Sequence, residues 1–168
     1  MPILLNVIDG LGGISLSLGV GASTFAIIFF FMGMRSEELR AAGRPFSKTT
    51  YIVLRVAMGL ILAVEAAKIA LYLYVGISFD KLLGAESLLF FWTLIAVLYV
   101  NAILMTLHIM PMRLGPALQA TSWYTLGLLS TLPVVTFGYL PLLLIYLACV
   151  ILAAAGIELM RRRLSPTT

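Results

Sequence analysis

Five long apolar stretches, separated by short polar or turn-forming segments, dominate the sequence. A helix needs about 20 apolar residues to cross the roughly 30 Å hydrocarbon layer of a membrane, and each stretch is close to that length. We therefore predict an all-α protein, a polytopic transmembrane helical bundle that forms a single domain. The five predicted spans cover about 11–34, 49–75, 86–110, 116–135 and 140–160.

The segments between the stretches contain residues that end helices. Gly43 and Pro45 interrupt the hydrophilic stretch after the first span, and Gly76 follows the second. Pro111 stands at the end of the third span, and Gly115 comes just before the fourth. Proline lacks the amide donor that a helix interior needs, and glycine favours turns, so we expect breaks at these points.

The fourth predicted span is the most polar of the five. Its first turns contain Gln119, Thr121, Ser122 and Thr125. Their clustering predicts a face that turns toward other helices of the bundle, where polar side chains can bond across helices, rather than toward lipid.

Composition supports a membrane environment and argues against nucleic acid. The 168-residue chain is 62% hydrophobic and 11% charged, whereas a soluble domain usually carries about 25% charged residues. Its net charge is +4, yet the basic residues sit beside apolar segments and form no basic surface with interleaved aromatics. The predicted partner is therefore the lipid bilayer.

Basic residues divide unevenly between the two sides of a five-span model. Nine fall on one side: Arg35, Arg40, Arg44, Lys48, Arg55, Arg113, Arg161, Arg162 and Arg163. The other side has Lys81 alone, near Asp9, Asp80 and Glu86. The positive-inside rule then puts the N-terminus outside and the C-terminus in the cytoplasm. Small size and the lack of a eukaryotic sorting signal favour the plasma membrane of a prokaryote.

The second span carries two opposite charges at membrane depth, Glu65 and Lys68. An ionised side chain there costs at least about 2.5–3.5 kcal/mol on insertion scales. The three-residue spacing puts both on one helix face, where they can pair, and Tyr72 continues the same stripe. Two interpretations stay open: a closed ion pair that fixes helix packing, or a polar site for a proton, ion or small solute.

Asn101 lies in the third span at a depth similar to that of the Glu65 and Lys68 pair. We expect its amide to bond to a neighbouring helix, which would stabilise packing. It could instead approach the charged pair and belong to the same pathway.

The first span contains Gly13, Ser17 and Gly21 at four-residue spacing, and Gly19 with Ser23 repeats the pattern. Small residues at this interval let two helix backbones approach closely. The partner can be another helix of the bundle or a second copy, so a homo-oligomer or partner membrane subunits are both open.

His108, the only histidine, has Met105 one turn before it and Met112 four residues after it. Imidazole and thioether together are ligands that a soft ion such as Cu(I) accepts. Methionine is also a routine filler of apolar interiors, so packing is the favoured explanation of these residues and copper the alternative.

Motifs for catalysis are absent from the sequence. There is no nucleophile elbow, zinc-protease helix or phosphate-binding loop, and the lone Cys149 lies in an apolar run. We expect no cofactor and no catalytic residues, and an intramembrane enzyme is the last of the function classes considered.

The third span resembles the corresponding helix of small prokaryotic five-helix membrane proteins. The similarity rests on Trp92, Asn101, His108 and Pro111, and on the string from Thr121 to Tyr124. The chain is also distantly similar to the copper-resistance D type of bundle, a resemblance that implies a role in metal handling. Because further histidines are missing here, no ligand set follows from it.

Three functions rank ahead of an enzyme. The first is a small transporter or channel that uses Glu65 and Lys68. The second is a non-catalytic accessory or scaffold subunit of a membrane complex, and the third is a copper-handling membrane protein.

Overall fold

The computed structural model describes residues 2–35, 37–77, 86–111, 114–131 and 138–164. These ranges form an all-α bundle, as the sequence predicts. Its helices, in chain order, are α1 (Pro2–Arg35), α2 (Glu37–Tyr74), α3 (Glu86–Thr106), α4 (Leu114–Thr131) and α5 (Tyr139–Leu164). Positions 132–135 of the fourth predicted span lie outside the described residues.

Four of these helices are long and apolar enough to cross a membrane. Their apolar segments are Ile3–Met34 in α1, Ala41–Tyr74 in α2, Leu88–Thr106 in α3 and Tyr139–Arg163 in α5. Large apolar side chains also remain exposed along them, such as Ile151 and Leu152 on α5. Such surfaces suit contact with lipid, so the bundle has the character of a membrane protein.

Helix α4 is more polar because other helices surround it. It contacts α1, α3 and α5, and its buried residues are Gly115, Ala117, Ala120, Thr121, Ser122, Trp123 and Leu126. The Ser122 hydroxyl lies 2.8 Å from the Tyr146 hydroxyl of α5. Gln119 likewise accepts a hydrogen bond from Asn101 of α3, whereas the Thr125 hydroxyl bonds within α4.

Helix α2 runs through Gly43 and Pro45 without a break, so the interruption expected there is wrong. The Phe46 ring, which follows Pro45, stacks on Phe29 of α1 with 5.8 Å between ring centroids. Contact with α1 therefore supports this turn, although proline removes one of its helical hydrogen bonds. Tertiary packing overrides the local preference of the sequence here.

The C-terminal end of α2 lies where the sequence predicts it. Gly76 has a positive φ of 87°, and the amide of Ile77 donates to the Tyr72 carbonyl over 3.0 Å. This is the left-handed helix end for which glycine is the preferred residue. The second span accordingly stops where Gly76 predicts.

The core of the bundle lies around Trp123 of α4. This side chain is fully buried, and it packs in one cluster with Ile61 of α2 and with Phe90, Leu94 and Leu98 of α3. The cluster also includes Leu16 of α1 and Tyr146 of α5, so the core joins all five helices.

Candidate functional site

Three charged side chains form a cluster between α1 and α2. The Lys68 ammonium lies 3.1 Å from the Glu65 carboxylate, one turn earlier on α2. It also lies 3.0 Å from the carboxylate of Asp9 on α1. The spacing of Glu65 and Lys68 predicts their pairing, but it gives no indication of Asp9. We call these three residues the ion cluster.

Exposure falls in order through the ion cluster. The Asp9 side chain is 62% exposed and that of Lys68 22%, whereas the Glu65 side chain is only 9% exposed. The two charges of α2 are therefore largely covered by the protein, whereas Asp9 lies at the surface of the bundle.

The ion cluster lines a cavity of about 640 Å³. Ser130 and Thr131, at the end of α4, add hydroxyl groups to its wall, while Leu16 and Ile61 supply apolar surface. Its volume is in the range of roughly 300–1,000 Å³ that is typical of small-molecule sites. We call it the carboxylate cavity.

A second cavity, of about 680 Å³, lies near the connection between α1 and α2. Three arginines line it, Arg44 and Arg55 of α2 and Arg161 of α5, together with apolar side chains. We call it the arginine cavity. The sequence assigns these arginines to the side of the membrane where the positive charge collects, but it does not predict that they share a cavity.

The two cavities approach each other along α2. Ile61 lines the carboxylate cavity, and Met58 lines the arginine cavity. These two residues are three positions apart, a rise of about 4.5 Å along the helix, and both side chains are buried.

Asn101 does not join the ion cluster. Its side-chain amide donates to the Gly115 carbonyl over 2.9 Å and to the Gln119 side chain over 3.2 Å, so it ties α3 to α4. Nearby Tyr99 donates to the carbonyl of Met58, which is seven residues before Glu65. That separation is about 10 Å along α2.

Tyr72 lies one turn beyond Lys68 and is partly buried. It is not among the residues that line the carboxylate cavity. Its place on the stripe of Glu65 and Lys68 therefore does not bring it into the wall of that cavity.

The small residues of α1 divide into two faces. A side chain at Gly13 or Gly21 would meet nothing within 4 Å, whereas one at Gly12 would touch Val64 at 3.3 Å and one at Gly19 would overlap the Trp123 ring. The Ser17 hydroxyl bonds to its own helix, at the Gly13 carbonyl. Close packing inside the bundle uses Gly12 and Gly19, and contact of Gly13, Ser17 and Gly21 with a second copy stays a prediction.

His108 ends α3. It has a positive φ of 59°, and the amide of Ile109 donates to the Leu104 carbonyl over 3.0 Å. This is the same left-handed helix end as at Gly76, and histidine is one of the residues that tolerate it. The third helix therefore stops at Thr106, four residues before the predicted end at 110.

The proposed copper ligands are only partly described. The Met105 sulfur lies 3.8 Å from the Asn101 amide nitrogen, and the His108 side chain is exposed. Met112 lies outside the described residues. Within the described ranges, no three His, Cys, Asp or Glu side chains come together in a way that could hold a metal.

Comparison with protein-family models, with curated proteins and with solved structures returns no match. The resemblance to small prokaryotic membrane proteins and to the copper-resistance D type of bundle therefore stays a prediction. The function has to be argued from the geometry of this chain.

Proposed function

We propose that the chain crosses the plasma membrane five times, with α4 among the spans and the C-terminus in the cytoplasm. Helix α4 has 18 residues, about 27 Å at 1.5 Å per residue, which is close to the roughly 30 Å of hydrocarbon. The polar residues of α4 can face other helices instead of lipid, because α1, α3 and α5 contact this helix. Five spans also keep the nine basic residues on one side.

Within that arrangement, we propose a small transporter or channel for a proton or a small cation. The observation that carries this proposal is the ion cluster in the wall of the carboxylate cavity. Ionisable residues inside membrane spans are costly, and they commonly mark ion or proton pathways. With all three groups ionised the cluster carries one net negative charge, which favours a positively charged solute over an anion.

The gradient of exposure within the ion cluster supports a route into the bundle. The Asp9 side chain is 62% exposed and that of Glu65 only 9%, so Asp9 would form the entrance of such a route and Glu65 its inner end.

Flux in proteoliposomes tests the proposal. The purified protein is reconstituted, and proton, sodium, potassium and Cu(I) fluxes are compared between wild type and the double variant Glu65→Gln/Lys68→Met. Glu38→Gln is the matched control, because Glu38 is an exposed residue near the start of α2. We expect a wild-type flux that the control keeps and the double variant loses.

A scaffold or accessory subunit is the second candidate, and the closed geometry of the ion cluster favours it. Lys68 has a carboxylate on each side, so the cluster can serve simply to hold α1 against α2. Absence of flux for every probe in a folded wild-type protein, together with co-purification of other membrane subunits, would establish this candidate instead.

A further inference from the structure

The arginine cavity presents an oriented guanidinium. The Arg55 side chain donates to the Tyr51 hydroxyl over 3.0 Å and to the Thr106 hydroxyl over 3.4 Å. Its guanidinium carbon lies 4.5 Å from the centre of the Tyr51 ring. Both bonds use the same terminal nitrogen, so the other N–H donors have no protein acceptor among the described residues. A fixed planar group with spare donors suits a phosphate.

The other two arginines add positive charge to the same wall. Arg44 is exposed and, within the described ranges, has no carboxylate partner. Arg161 lies 3.3 Å from the Glu158 carboxylate, which it shares with Arg162. The wall of the cavity therefore carries excess positive charge, most directly from Arg44 and Arg55, and an anion is the complementary ligand.

Apolar side chains form much of the rest of the cavity wall. Phe29 and Phe30 of α1 and Leu54 and Met58 of α2 line it. A small inorganic anion or a free sugar phosphate would leave these side chains without contact. An amphiphile with one anionic end and one hydrocarbon end matches both parts of the cavity.

Ser23 provides a second, independent indication of a ligand. Its side chain lines the arginine cavity and is 1% exposed, yet its hydroxyl has no hydrogen-bond partner in the described structure. Buried hydroxyl groups are normally bonded, and those that are not call for an explanation. A glycerol or ester oxygen of a bound lipid would satisfy it.

We infer that the arginine cavity binds one anionic phospholipid, with its phosphate on Arg55 and Arg44 and an acyl chain along Phe29, Phe30 and Leu54. Basic pockets between membrane helices on the cytoplasmic side are suited to anionic headgroups. The inference goes beyond the proposed transport, because it concerns the other cavity and needs no flux. The inference is tested by measuring lipid binding, whereas the proposed function is tested by measuring ion flux, so either can fail while the other stands.

Native mass spectrometry of the full chain, delipidated in detergent, tests the inference. The probes are phosphatidylglycerol, phosphatidylcholine with the same acyl chains, and inorganic phosphate. We expect wild type to bind phosphatidylglycerol about tenfold more tightly than phosphatidylcholine, and to show no competition from inorganic phosphate. Equal binding of both lipids, or displacement of the lipid by inorganic phosphate, would overturn the inference.

Variants locate the lipid. Arg55→Gln is expected to reduce the preference for phosphatidylglycerol about fivefold or more, whereas the control Arg163→Gln removes the same charge outside the cavity and keeps the preference. Ala26→Phe, which fills the cavity and retains every arginine, is expected to abolish binding of the lipid. If the Arg55→Gln variant fails to fold, the Ala26→Phe variant still tests whether the lipid occupies the arginine cavity. Unchanged binding by Ala26→Phe, or equal effects of Arg55→Gln and Arg163→Gln, contradicts the site.

Discussion

The indole ring of Trp123 lies directly against the backbone of Gly19, so that a side chain at position 19 would overlap it. Trp123 is fully buried at the centre of the bundle, and it cannot move away without displacing the core. Glycine at this position is therefore required for α1 to approach α4.

The first prediction concerns this contact. Gly19→Ala is expected to destabilise the protein by about 1–3 kcal/mol, the usual cost of overpacking a core, and to lower the thermal unfolding temperature in detergent. The matched control is Gly21→Ala, where the added methyl group meets nothing within 4 Å. Equal unfolding temperatures for the two variants would contradict the close approach.

Gly19 also illustrates what the sequence can and cannot predict. Small residues at four-residue spacing predict that α1 packs closely; Gly19 of the second pattern does lie against Trp123, whereas a side chain at Gly13 or Gly21 would meet nothing within 4 Å. The spacing repeats on two faces of the helix, however, and the sequence cannot tell which face meets a partner. That choice depends on where Trp123 and Val64 lie, which is a property of the whole bundle.

The second prediction concerns the end of α3. His108 adopts a left-handed conformation, which costs most residues about 1–2 kcal/mol and glycine almost nothing. His108→Gly is therefore expected to stabilise the protein by about 0.5–1 kcal/mol after the entropy of glycine is counted, whereas His108→Val destabilises it. Thermal unfolding in detergent measures both. If wild type binds Cu(I) and the His108→Gly variant does not, the result supports His108 as a metal ligand.

The third prediction ranks variants of the ion cluster by how much stability the protein loses. Lys68→Met leaves Glu65 buried without its cation, and we expect a loss of about 1–3 kcal/mol, below the value for a fully buried pair because Lys68 is partly exposed. Glu65→Gln leaves Lys68 with Asp9 and costs less. The double variant should recover most of the loss from Lys68→Met. Thermal unfolding of the three variants checks this order, and additive losses would rule it out.

The fourth prediction tests the five-span topology. In a Cys149→Ser background, cysteines are introduced at Ile3 and Arg163, which are exposed at opposite ends of the chain. A membrane-impermeant maleimide should label Ile3→Cys in intact cells, and Arg163→Cys only after permeabilisation. Labelling of both from the same side would mean an even number of spans and would exclude α4 as a span.

The composition of the candidate site was only partly predictable. Glu65 and Lys68 are recognisable because charges within an apolar helix are costly, and their spacing fixes their common face. The sequence puts Asp9 outside the first span, which is predicted to begin at residue 11, and so gives no reason to pair it with Lys68, although α1 begins at Pro2. The sequence predicts a depth for Asn101 similar to that of the pair, but its bonds to Gly115 and Gln119 join it to α4 instead.

Ion flux through the double variant Glu65→Gln/Lys68→Met tests the central claim most directly. It is compared with wild type in matched proteoliposomes, at equal protein content and comparable unfolding temperature. The proposed function predicts a proton or cation flux in wild type that falls to the level of empty vesicles in the variant. A flux that is unchanged when both charges are removed would contradict the account.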